Sequence, residues 1–353
     1  MSRAASNAGK RVTRRTVLKS AAIGAALGVA GAPAILRAKP AQMVISTGGG
    51  QLEEAYREAY FKPWTEKTGI TITTGPNTGA KLKAMVEQKA VEWDVSQQPA
   101  ELAATMARQG LLEPLDWSII DRSKLIKGVA FDDFVMCDVA AYHIAWNTKL
   151  VTPAEVPKDW TAFWAFHGRR GLWKRPYQTL EVALMADGVD KDKLYPLDIE
   201  RGLKSLGKIR DSIYWWERGA QVAQILIDGE VPVTAAWNGR VYGPKKSGAP
   251  VDYHLNEALL VADAWVVPKG APNKRESMEF IALALEADHQ AAFARQIPYG
   301  PVNAEALKLL PQDVLEILPT SPDNFKHATF LDVNWWAANG ERAEAAFRNW
   351  ITA

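Results

Sequence analysis

Asp263 is the residue whose setting most demands chemistry. It interrupts the apolar run LLVADAWVV (residues 259–267), and a lone carboxylate buried there is costly unless a cation pairs with it. That cation is either a Lys or Arg of the protein or the amine of a ligand. A second candidate is Thr47-Gly48-Gly49-Gly50, which stands before a helix-like run. Flexible glycines let the N–H groups of a helix start approach a carboxylate, although the same residues also suit a plain tight turn. No Gly-Lys-Ser/Thr follows, so this is not a phosphate loop. His143, His167, His254, His289 and His327 are scattered without metal-ligand spacing, and G-x-S-x-G, H-E-x-x-H and C-x-x-C do not occur. These gaps argue against an enzyme, and no residue suggests a cofactor or a metal.

The N-terminus reads as an address. In TRRTVLKSAAIGAALGVAGAPAILRA (residues 13–38), Arg14, Arg15 and Lys19 precede an apolar run from Ala21 to Leu36. That run is shorter than the ~20 residues a spanning helix needs, and Gly24, Gly28, Gly31 and Pro33 interrupt it. The segment resembles a twin-arginine export signal covering residues 1–38, with cleavage expected between residues 34 and 41. Seven of the 42 bases and none of the 40 acids lie in residues 1–38, leaving 35 bases and a mature net charge of −5. A mildly acidic body offers no footprint for nucleic acid. Cys137 is the only cysteine, so no intrachain disulfide forms. The chain must stand on its core, and its length predicts two lobes.

The elements that position these residues alternate. Strand-like MVIST, ITITT and WDVS are separated by helix-like LEEAYREAYFKPWTEKTG and AKLKAMVEQKA, and AELAATMARQG follows as another helix. Further on, a helix is capped at Asp159 or Thr161. ILIDGEVPVTAAW gives a helix end, a turn and a strand, Asn238-Gly239 reads as a turn, and KRESMEFIALALEAD as an amphipathic helix. YWWERG and VNWWAANG read as helix-like, which assigns most tryptophans to core packing. The β-α-β-α order implies an α/β fold with largely parallel strands and helices on both faces.

Phrases along nearly the whole mature chain resemble the spermidine/putrescine-type periplasmic substrate-binding proteins of ABC transporters. They include FKPWTEKTGI, WDV, ARQGLLEPLD, VPKDWTAFW, IDGEVPVTAAWNG, VVPKGAPN and IPYGPVN, in order. The resemblance implies a two-lobed α/β periplasmic-binding-protein fold (type II), with a hinge and a ligand cleft between lobes. Lobe one would comprise residues 42–145 and 262–303, and lobe two residues 146–261 and 304–353. The implied protein is a periplasmic, non-catalytic monomer that hands a small amine or zwitterion to an ABC permease of the inner membrane. An exported carbohydrate receptor or hydrolase is the alternative.

By the same resemblance, Trp237 lies in the cleft, where its face packs on an aliphatic amine, and Arg240 reaches an anionic group or lies on a surface turn. Asp263 corresponds to an Asp that binds a ligand amine. Glu101 lies where the loop after WDV reaches the ligand, as an amine partner or an ordinary helix residue. Thr47, Gly48, Gly49 and Tyr299 complete the expected contacts. In GLWKRPYQTLEVAL the polyamine binders carry acids, whereas Lys174, Arg175 and Gln178 stand here. Basic groups repel a dication and welcome a carboxylate. With Asp263 at one end and Arg175 and Arg240 at the other, the expected ligand is an ω-amino acid of the γ-aminobutyrate kind rather than putrescine.

Overall fold

The computed structural model describes residues 41–353, and the export-signal reading lies outside them. Nine strands form the frame: β1 (Gln42–Thr47), β2 (Thr71–Pro76), β3 (Val95–Pro99), β4 (Phe134–Asn147), β5 (Arg170–Trp173), β6 (Ile213–Trp216), β7 (Val233–Trp237), β8 (Val251–Val266) and β9 (Thr329–Phe330). Their order is β2-β1-β3-β8-β4-β7-β5-β6, with β9 alongside β8. β1, β2 and β3 are mutually parallel, as are β5, β6 and β7. Between these groups run the two long strands β4 and β8, antiparallel along their length. β3 joins β8 near Asp263–Val266, and β7 joins β4 near Tyr142–Trp146. The molecule is therefore two parallel α/β layers strung on one antiparallel pair.

Hydrophobicity explains the central place of β4, which is buried at every position except Trp146. A strand covered on both faces carries a continuous apolar run rather than an alternating one. Local signals set the helices. Gly69 takes a left-handed φ of 77° and ends helix Lys62–Thr68, the conformation glycine adopts without steric cost. The Asp159 side chain accepts from Ala162 N at 2.7 Å and starts helix Trp160–Ala165, which settles the cap in favour of Asp159.

Three elements differ from the sequence reading. The YWW of residues 214–216 lies in strand β6, not a helix. Trp216 packs on Trp173 and Trp237, whereas Trp215 meets Phe347 and Trp350 of the C-terminal helix Val333–Thr352. That alternation is the period of a strand. Asn238-Gly239 opens helix Asn238–Lys246 instead of a turn, because Asn238 is committed to hydrogen bonds inside the core. Residues 274–288 break into helices Lys274–Ala284 and Ala287–Ala294, with Asn303 Nδ2 donating to the Leu285 carbonyl at the break.

Candidate ligand-binding cleft

A cavity of about 300 Å³ opens against the middle of the β4–β8 pair, with Ala140, Val261 and Ala262 at its base. Pro99, Glu101 and Asp263 line one side; Trp173, Gln178, Trp237 and Arg240 line the other, and Tyr299 closes an edge. The strands deliver these groups from separate parts of the chain. Pro99 ends β3 directly opposite Asp263 of β8, and Glu101 follows in the first turn of helix Ala100–Arg108. Backbone bonds between Val139 and Gly300, at 2.9 and 2.7 Å, fasten the loop that presents Tyr299. A second cavity of about 560 Å³, between helices Ala100–Arg108 and Val333–Thr352, shares Pro99 and Glu101 with the first.

One side is acidic without compensation. Asp138 of β4 stands opposite Asp263 of β8 in the ladder, where like charges repel. Tyr56 donates its hydroxyl to Asp138 Oδ2 at 2.6 Å, while Asp138 Oδ1 has no hydrogen-bond partner among the described residues. No Lys or Arg among the described residues pairs with Glu101, Asp138 or Asp263, so the protein supplies no counterion. Burial pushes the Glu101 carboxyl up to about 7 and that of Asp138 to about 6. Asp263 is raised by burial, then by the neighbouring charges of Asp138 and Glu101, against a hydrogen bond from Gln97. Three carboxyl groups whose ionisation is disfavoured by burial and by one another, with no paired Lys or Arg among the described residues, make a site that a ligand ammonium completes.

The opposite side is aromatic and basic. The Trp237 indole meets Trp173 at 4.9 Å and Trp216 at 5.1 Å between ring centroids, both edge-on, and donates Nε1–H to Gln178 Oε1 at 2.9 Å. Asn238 Oδ1 accepts from Ala141 N at 3.0 Å, and its Nδ2 donates to the Pro298 carbonyl. One side chain thus ties the end of β7, strand β4 and the Tyr299 loop together. Two glycines permit close packing here. A Cβ on Gly239 would lie 2.7 Å from Tyr299 Cε1, and one on Gly219 would lie 3.0 Å from Arg240 Nε. Arg240 is exposed and makes no ion pair among the described residues.

Glu101, Trp237, Arg240, Asp263 and Tyr299 are thus gathered around one cavity, and four expected contacts are not. Arg175 lies outside, its side chain 59% exposed and its Nη1 3.6 Å from Glu344. Lys174 bonds Glu217 at 2.7 Å, also outside. The loop exposes Lys174 and Arg175, goes under cover from Pro176, and reaches this cavity at Gln178, three positions beyond Arg175. Thr47, Gly48 and Gly49 do not line the cavity either. Thr47 donates to the Glu53 carboxylate, and Gly48 N donates to Gln97 Oε1 at 2.9 Å. Those donors are spent one layer behind Asp263. Sequence reasoning missed Trp173 and Asp138; Asp138 carries the signal that exposed Asp263, a carboxylate in an apolar strand (FVMCDVAAY).

The family described as bacterial extracellular solute-binding protein matches residues 59–319. The chain belongs to that family. This solute-binding protein is 37% identical over 335 residues to the gamma-aminobutyric acid-binding protein of Pseudomonas aeruginosa, covering 90% of this chain and 93% of that one. A solved GABA receptor superposes with a TM-score of 0.81 at 36% identity, covering 88% of this chain and 97% of that one. An ABC transporter substrate-binding protein from Bradyrhizobium japonicum gives 0.84 at 35% identity, with 88% and 99% covered. The two parallel layers on long shared strands are the two-lobed α/β fold of periplasmic binding proteins. No described helix is long and apolar enough to cross a membrane.

Proposed function

We propose that this solute-binding protein captures an ω-amino acid of the γ-aminobutyrate kind in the periplasm and delivers it, without transforming it, to an ABC permease. The observation that carries this reading is the polarity of the cavity. Glu101 and Asp263 face it with Asp138 behind them and no Lys or Arg paired with any of the three among the described residues, while the Trp237 side holds Arg240, which makes no ion pair among the described residues. An ammonium against Asp263 and a carboxylate toward Arg240 complement both ends. A diamine would turn its second ammonium toward Arg240, a repulsion that Trp237 does not offset. The names of the Pseudomonas relative and of the GABA receptor support the same chemistry.

The cavity sits where the proposed lobes meet. Residues 42–145 and 262–303 bring Glu101, Asp263 and Tyr299; residues 146–261 and 304–353 bring Trp173, Gln178, Trp237 and Arg240. Capture closes the lobes about β4 and β8. The protein works as a monomer, exported behind a twin-arginine signal in residues 1–38. Titration of the mature protein with γ-aminobutyrate, putrescine, spermidine and maltose, followed by tryptophan fluorescence, tests the reading, since Trp173 and Trp237 line the cavity. Saturable change with γ-aminobutyrate is expected. Response to a polyamine or maltose with silence toward γ-aminobutyrate overturns it.

A further inference from the structure

The cavity of about 560 Å³ between helices Ala100–Arg108 and Val333–Thr352 is larger than the proposed ligand site beside it, at about 300 Å³, and the γ-aminobutyrate reading gives it no role. Ligand sites run roughly 300–1,000 Å³, so the smaller cavity by itself suits only a short molecule. Both lie between the proposed lobes, since Ala100–Arg108 belongs to residues 42–145 and Val333–Thr352 to residues 304–353. Side-chain size keeps the larger one open, because the C-terminal helix presents Ala337, Ala338 and Gly340 to it. The wall behind them is fixed. Trp336 donates Nε1–H to the buried Glu181 Oε1 at 2.6 Å and stacks on Tyr177 at 4.2 Å between ring centroids.

The partition between the cavities is not fastened in that way. Pro99 and Glu101 line both, and no other residue among those described hydrogen-bonds or ion-pairs with the Glu101 carboxyl. Glu101 stands on the acidic side with Asp263, so the two cavities adjoin at the end that receives the ligand ammonium. Arg240, at the carboxylate end, lines the smaller one and not the larger. The larger cavity offers donors and acceptors of mixed kind, with Thr105, Arg108 and Gln109 from one helix and Glu341 from the other. One base against two acids commits the lining to no single charge, and hydroxyl groups satisfy donors and acceptors alike. We propose that the larger cavity is a subsite for a neutral, hydroxylated arm carried on the ligand's amino nitrogen. The protein then accepts ω-amino acids substituted on nitrogen, as secondary ammonium ions that keep their charge for Asp263. It rejects those extended beside the carboxylate. This deepens the ω-amino-acid reading and rests on it.

The test is calorimetric titration of mature wild type and Ala338→Trp with three ligands, alongside the melting temperatures of both proteins. The ligands are γ-aminobutyrate, γ-aminobutyrate with a dihydroxypropyl arm on nitrogen, and the isomer with that arm on the carbon beside the carboxylate. All three keep both charges. Ala338 is exposed on the wall opposite Glu101 and does not line the smaller cavity, so an indole there fills the subsite alone. Wild type is expected to bind the nitrogen-substituted ligand within about tenfold of γ-aminobutyrate, and its isomer about a hundredfold more weakly or worse. Ala338→Trp is expected to melt near wild type, keep γ-aminobutyrate, and lose the nitrogen-substituted ligand by about tenfold or more. Should that variant melt lower, Glu341→Trp, exposed one turn on, blocks the same space. The assignment is overturned if wild type binds both substituted ligands equally weakly, or if filling the cavity leaves the nitrogen-substituted ligand unaffected. Either result leaves the ω-amino-acid reading standing, provided wild type binds γ-aminobutyrate. If wild type binds none of the three, that reading fails and this assignment goes with it.

Discussion

Asp263 faces the cavity with two other acids near it and no Lys or Arg paired with it among the described residues, so its ionised form is costly in the protein alone. Asp263→Asn should therefore act in opposite directions on folding and binding. Removing the charge relieves repulsion with Asp138 and Glu101, so the ligand-free melting temperature at pH 8 should rise. Amine affinity should fall by about 3 kcal/mol or more, because a buried ammonium loses its partner. A variant that binds as wild type, seen by calorimetry, would remove Asp263 from the site. The same carboxyls set the pH dependence. Glu101 is pushed up to about 7 and Asp138 to about 6, above their unfolded values near 4. The folded protein then holds more protons than the unfolded chain, so these groups make the ligand-free protein less stable as pH climbs from about 4 through about 7. Binding an ammonium requires the ionised forms. Affinity for γ-aminobutyrate should thus increase from pH 5 to pH 7.5, by at most about tenfold per unit for each proton released. Flat affinity over that range would contradict the unpaired acid cluster. At this scale Asp263 was legible because a carboxylate breaks an apolar strand. Asp138 carries the same signal in β4 but was not singled out. Arg175 missed the cavity because loop residues have no periodicity to fix their direction.

Among elements, the junction between β7 and helix Asn238–Lys246 holds the site together. Asn238 satisfies Ala141 N of β4 and the Pro298 carbonyl from one buried carboxamide. Asn238→Ala should cost about 2–3 kcal/mol in urea denaturation, since a buried N–H and a carbonyl lose their partner. It should also weaken ligand binding, because Trp237 and Arg240 flank the same residue. Unchanged stability would show that the junction is held elsewhere. Strands β1, β2, β3, β7 and β8 were legible from apolar runs and turn signals, and Gly69 and Asp159 from helix-end chemistry. Asn238-Gly239 was misread because Asn-Gly ordinarily marks a turn, and long-range hydrogen bonds overrode that preference. β6 was misread because its two adjacent tryptophans face different partners, which only tertiary packing reveals.

For the whole molecule, the β-α-β-α order made the α/β class legible, and the two-lobed plan followed from family phrases spread along the chain. The same phrases led to Glu101, Trp237, Arg240, Asp263 and Tyr299 as one cleft, but the strand order behind it could not be read that way, because β4 and β8 meet their partners from distant sequence. The charge division also belongs to this scale: residues 1–38 carry bases and no acid, and residues 39–353 are net −5. Replacing Arg14 and Arg15 with Lys should leave precursor in the cytoplasm, checked by cell fractionation and immunoblotting. Normal export of that double variant would contradict twin-arginine targeting. The central claim is the polarity of the cleft, and a crystal structure of the mature protein grown with γ-aminobutyrate tests it most directly. The expected density places the ligand ammonium within hydrogen-bond reach of Asp263 and the ligand carboxylate toward Arg240, between Trp237 and Tyr299. A ligand bound in the reverse direction, or held outside this cavity, would contradict it.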